Sequence, residues 1–184
     1  MVETEDAREE EHKPVVPSDE VAAALCAAFP TAVFHDSHGQ AVVYVDRSDW
    51  LAAVTLLRDQ ESFTSCMDIT AVDHLGDADR IAIGGVEPER FEVVANLLSH
   101  PRNRRIRLVT QVPVEDPTIA SITPVYPGMN FGEREVFDLY GIDFAGHPEL
   151  TRILMPDEWV GHPLRKDDTP ARVPVTFKGD PGPR

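Results

Sequence analysis

The spacing of apolar residues predicts two helices and five strands before residue 113. Residues 20–29 are rich in alanine and end at Pro30, whereas Trp50, Val54 and Leu57 lie on one face of a second helix. β-Branched and apolar runs are typical of strands, and they occur at residues 32–36, 40–45, 63–73, 90–98 and 104–112. The predicted order is therefore α-β-β-α-β-β-β.

The last predicted strand alternates between polar and apolar residues. Arg105, Arg107 and Gln111 share one side, whereas Ile106 and Leu108 share the other. One face of the sheet should then be wet and the other buried. This pattern favours an α+β fold, with a two-layer α/β domain over residues 20–112 and a mixed sheet that carries both helices on one face.

Polar residues at the predicted helix ends indicate where each helix begins. Ser18 should cap the first helix and Ser48 the second. In a third, short helix, Asn130 is expected as the N-cap with Glu133 bonding back to the cap amide, and Gly141 supplies the left-handed stop.

The two ends of the chain differ in composition from its middle. Residues 1–19 carry seven acids and few apolar residues, so they are expected to form a disordered acidic tail. Proline recurs throughout residues 113–184, which predicts an extended arm with short helices that leaves the sheet domain and docks on a partner. One such helix is expected at residues 149–154, with Pro148 at its first position.

The net charge of −15 disfavours nucleic acids and anionic lipid surfaces as partners. The basic residues cluster only around the start of the last predicted strand, where a solvated face or an acidic protein partner is a better interpretation than nucleic acid. They are Arg102, Arg104, Arg105 and Arg107. The longest uncharged run without proline, residues 21–29, is far below the roughly 18–20 residues that span a bilayer. The acidic N-terminus also argues against a secretory signal, so the cytoplasm is the expected compartment.

The sequence offers few groups for metal or cofactor chemistry. Cys26 and Cys66 are forty positions apart and are expected to be buried thiols, too few for an iron–sulfur cluster or a zinc site. His147 and His162 lie in identical Gly-His-Pro triplets, and we interpret them as hydrogen-bonded turn residues. A metal-dependent hydrolase that uses both histidines remains an alternative. No catalytic, cofactor-binding or metal-binding residue is predicted.

The helix at residues 130–140 concentrates charge beside apolar side chains. Arg134 and Asp138 are four residues apart and are expected to pair. Such a pair contributes only a few tenths of a kcal/mol on a free surface, but it could fix the register of an interface. Capping and interface use are therefore favoured over acid–base catalysis by Glu133 or Glu135.

The block from residue 130 to residue 168 resembles the signature of a known family. It contains the runs Glu133-Arg134-Glu135-Val136-Phe137-Asp138, Gly146-His147-Pro148-Glu149-Leu150, Arg152-Ile153-Leu154 and Gly161-His162-Pro163-Leu164-Arg165-Lys166-Asp167. These runs, in this order and spacing, are similar to the 30-kDa-type (C-type) subunit of proton-translocating NADH:quinone oxidoreductase, respiratory complex I. The resemblance covers about residues 20–170.

The resemblance implies a non-catalytic subunit of the peripheral arm that braces the quinone-reducing module. FMN, iron–sulfur clusters and quinone would be bound by other subunits, and this chain would hold no cofactor. The implied partners are the 49-kDa-type (D-type) subunit, the B-type subunit and other peripheral-arm subunits, at the cytoplasmic side of the cell membrane without a span of its own. A homologous subunit of a membrane-bound hydrogenase, or of a ferredoxin- or F420-driven complex, is the alternative.

The charged residues of the block are the expected partner interface. They are Glu133, Arg134, Glu135, Asp138, His147, Arg152, His162, Arg165 and Lys166.

Overall fold

The computed structural model describes residues 17–168, and within them the chain forms three helices and seven strands. Their order confirms the predicted α-β-β-α-β-β-β pattern and the α+β class, with three further elements after it. The elements are α1 (Glu20–Ala28), β1 (Val33–Ser37), β2 (Gln40–Tyr44), α2 (Trp50–Asp59), β3 (Ser65–Asp73), β4 (Phe91–Ser99), β5 (Arg104–Val112), β6 (Thr118–Ala120), α3 (Asn130–Tyr140) and β7 (Asp143–Ala145). Residues 1–16, most of the predicted acidic tail, and residues 169–184 lie outside the described part.

Five strands form one mixed sheet in the order β1-β2-β5-β4-β3. β2 runs parallel to β5, with Val43 beside Leu108, and the other neighbours are antiparallel. The β1–β2 hairpin turns at His38 and Gly39, which both have positive φ angles of 55° and 79°. A two-residue hairpin turn requires such angles, so the predicted hairpin is confirmed.

The predicted alternation in β5 is confirmed, because its two faces differ in burial. Ile106, Leu108 and Val112 join one core cluster with the inward residues of the helices, such as Leu25 and Trp50. Burial of these apolar side chains is the main favourable contribution to folding, at about 25 cal/mol per Å². The opposite face carries Arg105 and Arg107.

Both predicted serine caps are wrong. Asp19 caps α1, because its Oδ1 accepts the N–H groups of Val21 and Ala22 at 2.9 and 3.1 Å while its Oδ2 pairs with Arg104 at 2.7 Å. α2 begins after Asp49 without a side-chain cap. A backbone bond from Asp49 N to Asp46 O already closes the turn that leads into this helix.

The expectation that the chain leaves the sheet domain at residue 113 needs correction. Ile119, Ile122, Val136, Ile142 and Phe144 all belong to the same core cluster as the sheet and the first two helices. β6 and β7, which precede and follow α3 in the chain, form a short parallel pair, and α3 packs against β3. The prolines mark irregular backbone, whereas the apolar residues between them keep this stretch within the core.

The chain from residue 146 to residue 168 has neither helix nor strand, so the predicted helix at residues 149–154 is wrong. The N–H groups of Ile153, Leu154 and Met155 bond to the Asp138 carboxylate. They are therefore unavailable to the carbonyls of a helix. We call residues 146–168 the strap, because they lie along α3 and return to the sheet.

Candidate docking surface

The structure brings the nine predicted interface residues to α3 and the strap. Two of them, Glu133 and Asp138, are fully buried, so their side chains make contacts within the chain and do not reach the surface. Glu135 and Lys166 are exposed, and the remaining five are half-buried: Arg134, His147, Arg152, His162 and Arg165.

Asp138 is the central anchor of the strap. Its Oδ2 accepts three backbone N–H groups, from residues 153 to 155, at 3.0, 2.8 and 2.8 Å. Its Oδ1 accepts from Arg152 Nη1 at 2.6 Å, and Arg152 also donates to Gly161 O. Burial alone would raise the pKa of Asp138, but these donors outweigh it and hold the pKa below its usual range.

Arg134 holds the strap from the neighbouring position on α3. The predicted pair with Asp138 is wrong, because Arg152 and the backbone occupy that carboxylate. Arg134 instead donates to Thr151 O and Arg152 O, both at 3.0 Å. Its planar fork suits two adjacent carbonyls in a way that a lysine ammonium does not.

The second Gly-His-Pro triplet caps the end of α3. His162 Nδ1 donates to Asp138 O at 3.0 Å, Leu164 N donates to Leu139 O at 3.0 Å, and Arg165 donates to the carbonyls of Tyr140 and Gly141. The last carbonyls of a helix have no partner inside it. The strap therefore supplies donors that the helix itself lacks.

The predicted stop at Gly141 is confirmed, since this residue has a φ of 67°. A Cβ placed there would lie 2.5 Å from His162 Nε2 and 2.8 Å from Arg165 Nη2. Glycine is thus required both by the left-handed conformation and by the close approach of the strap.

The first Gly-His-Pro triplet meets the other end of α3. His147 Nδ1 accepts from Glu149 N at 3.0 Å, which leaves Nε2–H to donate to Asn130 O at 3.1 Å. Asn130 and Asp138 are eight residues apart, about 12 Å at roughly 1.5 Å per residue. His147 and His162 are thus tied to separate ends of the helix and cannot share an ion at bonding distance, about 2.0–2.1 Å.

The structure does not bring together the site that the hydrolase alternative requires. Among residues 17–168, no group of three or more histidine, cysteine, aspartate or glutamate side chains is arranged to hold a metal ion. Cys26 and Cys66 are half-buried free thiols, and burial raises the pKa of Cys66 to about 12.

A second anchor on the sheet was not predicted from the sequence. Arg90 binds the buried Asp73 through two bonds, at 3.0 and 2.8 Å, and binds Asp167 of the strap through two more, at 2.8 and 2.6 Å. Asp73 also accepts from Lys166 N at 2.8 Å. Burial would raise the pKa of Asp73, but these donors lower it to about 2. The sequence position of these residues could have indicated this anchor. Antiparallel pairing of β3 and β4 brings Asp73, at the end of β3, beside Arg90, the residue before β4.

Glu133 does not form the predicted capping box. α3 continues directly from a turn of 3₁₀ helix, Pro127–Met129, so Asn130 already has helical geometry. Glu133 Oε2 accepts from Ser121 Oγ and Oε1 accepts from Ile122 N, both at 2.6 Å. Burial raises the pKa of Glu133 to about 7, and these two bonds only partly offset the effect.

Five large apolar side chains of α3 and the strap are exposed to solvent. Val160 is 91% exposed, Phe131 62% and Leu154 58%, and Ile153 and Leu164 are exposed as well. The charged groups of α3 and the strap instead bind the strap to α3 and the sheet. The arrangement can therefore offer an apolar surface held by polar anchors, and we call these five residues the apolar row.

The family model for the 30 Kd subunit of respiratory-chain NADH dehydrogenase matches residues 43–173. The chain is 42% identical over 172 residues to the C-type subunit of NADH-quinone oxidoreductase from Nocardioides sp., covering 88% of this chain and 64% of that protein. It is 41% identical over 155 residues to the C-type subunit from Herpetosiphon aurantiacus, covering 83% and 85%.

Two solved structures share the fold. One is Nqo5 as a trypsin-resistant fragment (1–134), with a TM-score of 0.62, 32% identity, and 71% of this chain and 96% of that chain covered. The other is a chain of the membrane-bound sulfane sulfur reductase, an archaeal respiratory membrane complex, with a TM-score of 0.59, 21% identity, and 83% and 85% covered. The second likeness concerns the fold alone.

The chain spans less than two thirds of the length of the first curated relatives, with 64% for Nocardioides and 54% for Saccharopolyspora erythraea. The family model nevertheless covers most of the chain, from β2 through the strap. It follows that the chain belongs to the family of 30 kDa subunits of respiratory-chain NADH dehydrogenase.

Proposed function

We propose that this chain is a non-catalytic structural subunit in the peripheral arm of an NADH:quinone oxidoreductase, where it braces the quinone-reducing module. In this proposal the complex passes electrons from NADH through FMN and iron–sulfur clusters of other subunits to quinone, and couples the transfer to proton translocation. The names of the relatives, which are C-type subunits of NADH-quinone oxidoreductase, support the assignment to this complex.

The structural role rests on one observation: the charged side chains of α3 and the strap bond within the chain, whereas the large apolar ones are exposed. Asp138, Arg134 and Arg165 each use their charge on backbone groups of this chain. Few of these charged groups are therefore free to bind a substrate, whereas the side chains of the apolar row are exposed to solvent. Covering an exposed apolar row of this kind is how a permanent partner stabilises an interface.

In this proposal the 49-kDa-type subunit covers the apolar row, and the B-type subunit and other peripheral-arm subunits lie nearby. The proposed place is the cytoplasmic side of the cell membrane, as a peripheral component. Across residues 17–168, no helix combines the length and the apolar character needed to cross a bilayer.

Limited trypsin digestion of the full chain, alone and with the 49-kDa-type subunit, tests the docking proposal. Trypsin should cut the isolated chain within the strap, after Arg152, Arg165 and Lys166, because the strap has no helix or strand. The 49-kDa-type subunit should slow these cuts at least about tenfold, while the sheet resists in both states. Equal cleavage of the strap in both states would contradict the proposal.

A matched pair of variants locates the contact. Val160→Asp introduces a charge into the apolar row and should abolish protection by the 49-kDa-type subunit. Ile81→Asp is the control, because Ile81 is 79% exposed but lies in the connection between β3 and β4. Protection that survives Val160→Asp and is lost in Ile81→Asp would place the partner on the connection between β3 and β4 and contradict the assignment.

Affinity purification of the chain from its own cells, followed by mass spectrometry, separates the alternatives. Recovery of the 49-kDa-type and B-type subunits with NADH-oxidising subunits supports the proposal. Recovery of hydrogenase or ferredoxin- or F420-oxidising subunits would instead assign the chain to such a complex. Elemental analysis of the purified chain tests the hydrolase alternative, which requires a stoichiometric metal.

A further inference from the structure

A basic patch at one end of the sheet is used neither by the strap nor by the apolar row. It consists of Arg105 and Arg107 on β5, beside a shallow apolar groove lined by Ala41, Met67, Leu97 and Ile106. Met67 is 59% exposed, so the groove opens to solvent. The patch is opposite in sign to the net charge of −15.

The two arginines of the patch have few partners within the chain. The Arg105 side chain is exposed and makes no hydrogen bond or ion pair with any residue between 17 and 168. Among the same residues, the Arg107 side chain donates only one long bond, to Asn96 Oδ1 at 3.4 Å. Their neighbours differ, because Arg102 pairs with Glu61 at 2.9 Å and Arg104 with Asp19 at 2.7 Å. The patch can therefore accept an acidic segment without breaking an existing ion pair.

We propose that the chain's own residues 3–11 dock on this patch. They supply six acids, Glu3, Glu5, Asp6, Glu9, Glu10 and Glu11, and residues 1–16 carry two bases, a net charge of −4. The described chain begins two residues before Asp19, which pairs with Arg104. Arg104 precedes Arg105 on β5 but lies on the face that packs against the helices, so docking takes the segment around the end of β5.

The connecting chain is long enough to reach the patch. Asp19 lies eight positions after Glu11, and eight steps of extended chain span up to about 26 Å. Arg107 lies three residues beyond Arg104, about 10 Å along the strand and on its opposite face. A short tether also holds the segment at a millimolar effective concentration near the patch, so weak charge pairing suffices for docking. This inference does not depend on the proposed function.

Zero-length carbodiimide cross-linking of the full chain tests the docking. Arg105→Lys and Arg107→Lys keep the charge and supply an amine that couples to carboxylates within contact distance. Mass spectrometry should find these amines joined to residues 3–11 at least about fivefold more often than Lys166, an exposed native amine on the strap, is joined to them. Raising salt from 0.1 to 1 M, which shortens the Debye length from about 10 to about 3 Å, should reduce the yield about fivefold.

Neutralised variants provide the control for net charge. Glu9→Gln/Glu10→Gln/Glu11→Gln should lower the cross-link yield at Glu3, Glu5 and Asp6 at least about threefold. Glu149→Gln/Asp157→Asn/Glu158→Gln removes the same charge from exposed positions of the strap and should leave the yield unchanged. Equal yields at Lys166, insensitivity to salt, or cross-links that join isotope-labelled to unlabelled chains would each overturn the proposal.

Discussion

Single charged side chains replace regular secondary structure in the strap. Asp138 accepts three successive backbone N–H groups, and Arg134 donates to two successive carbonyls. Each of these side chains orders several residues of irregular chain. Substitution of one of these side chains should therefore free the strap from α3 and leave the sheet folded.

Asp138→Asn should free the strap while the sheet stays folded. The amide has one acceptor oxygen in place of two, so one or more buried donors lose their partner, at about 1–3 kcal/mol. Hydrogen exchange of the amides of residues 153–155 should accelerate at least about tenfold, with little change in β4. Glu135→Gln on the same helix is the control, since Glu135 is exposed. Unchanged exchange in Asp138→Asn would show that the strap has other sufficient anchors.

The free energy of unfolding should depend on pH through Glu133, with a sign opposite to the dependence through Asp73 and Asp138. Its pKa in the folded chain, about 7, lies above the ordinary value of 4.5. The folded state therefore binds the proton more tightly, and the resulting stability is fully present below pH 4.5 and lost as the pH rises through about 7. Burial of a carboxylate without a cation is the physical cause.

Glu133→Gln should remove this dependence. At pH 8 the variant should be more stable than the native chain by on the order of 1–3 kcal/mol, because a neutral amide can still accept from Ile122 N and donate to Ser121 Oγ. At pH 4.5 the two should be nearly equal. Urea denaturation at both pH values measures the difference, with Glu158→Gln as an exposed control. A variant less stable than the native chain at pH 8 would contradict the assignment.

At the level of elements, α3 is held at both ends by the two Gly-His-Pro triplets. His147 bonds to its first residue, and His162 and Arg165 bond to the carbonyls of Asp138 and Tyr140 near its end. The helix and the strap are therefore one structural unit, although only the helix has a regular hydrogen-bonding pattern.

Gly141→Ala should destabilise this unit more than Gly146→Ala. Both glycines have positive φ angles, 67° and 86°, so each substitution costs about 1–2 kcal/mol in backbone strain. A Cβ at Gly141 also meets His162 and Arg165, whereas at Gly146 it meets open space. We expect Gly141→Ala to lose at least about 1 kcal/mol more in the free energy of unfolding, measured by urea denaturation. Equal losses would mean that the strap moves aside freely.

The sequence predicts elements better than it predicts the contacts between them. Alternation in β5 and the glycine at residue 141 are local signals, and both predictions are confirmed. Asp19, which caps α1, also pairs with Arg104, a residue 85 positions away, and no local pattern indicates this contact. Asp138 likewise pairs with Arg152 rather than with Arg134, which is closer in sequence, because the strap folds back over α3.

At the scale of the whole molecule, one core supports both the sheet and the base of the strap. Ile119, Val136 and Phe144 join this core, so the irregular chain departs at about residue 146 and not at residue 113. Arg90 then fastens the end of the strap back onto the sheet through Asp167. A partner that contacts the apolar row would thus contact a surface with a defined orientation to the sheet.

In the proposed bracing role, Arg134 should act on the assembly of the complex and not on its turnover. Arg134→Ala removes the bonds to Thr151 O and Arg152 O, so the apolar row loses its fixed position and the partner must order it, which costs binding free energy. We expect the content of assembled complex to fall several-fold while the NADH:quinone activity per complex stays constant. Both are measured in membranes, by native gel quantification beside activity.

Two comparisons separate geometry from charge in this prediction. Arg134→Lys keeps the charge but cannot reproduce the planar fork, so it should restore assembly only in part. Arg102→Ala breaks an ion pair at the sheet end, which contributes at most about 1 kcal/mol, and should leave assembly unchanged. Normal assembly with lost turnover in Arg134→Ala would contradict a purely structural role, because the anchors of the strap would then influence electron transfer directly.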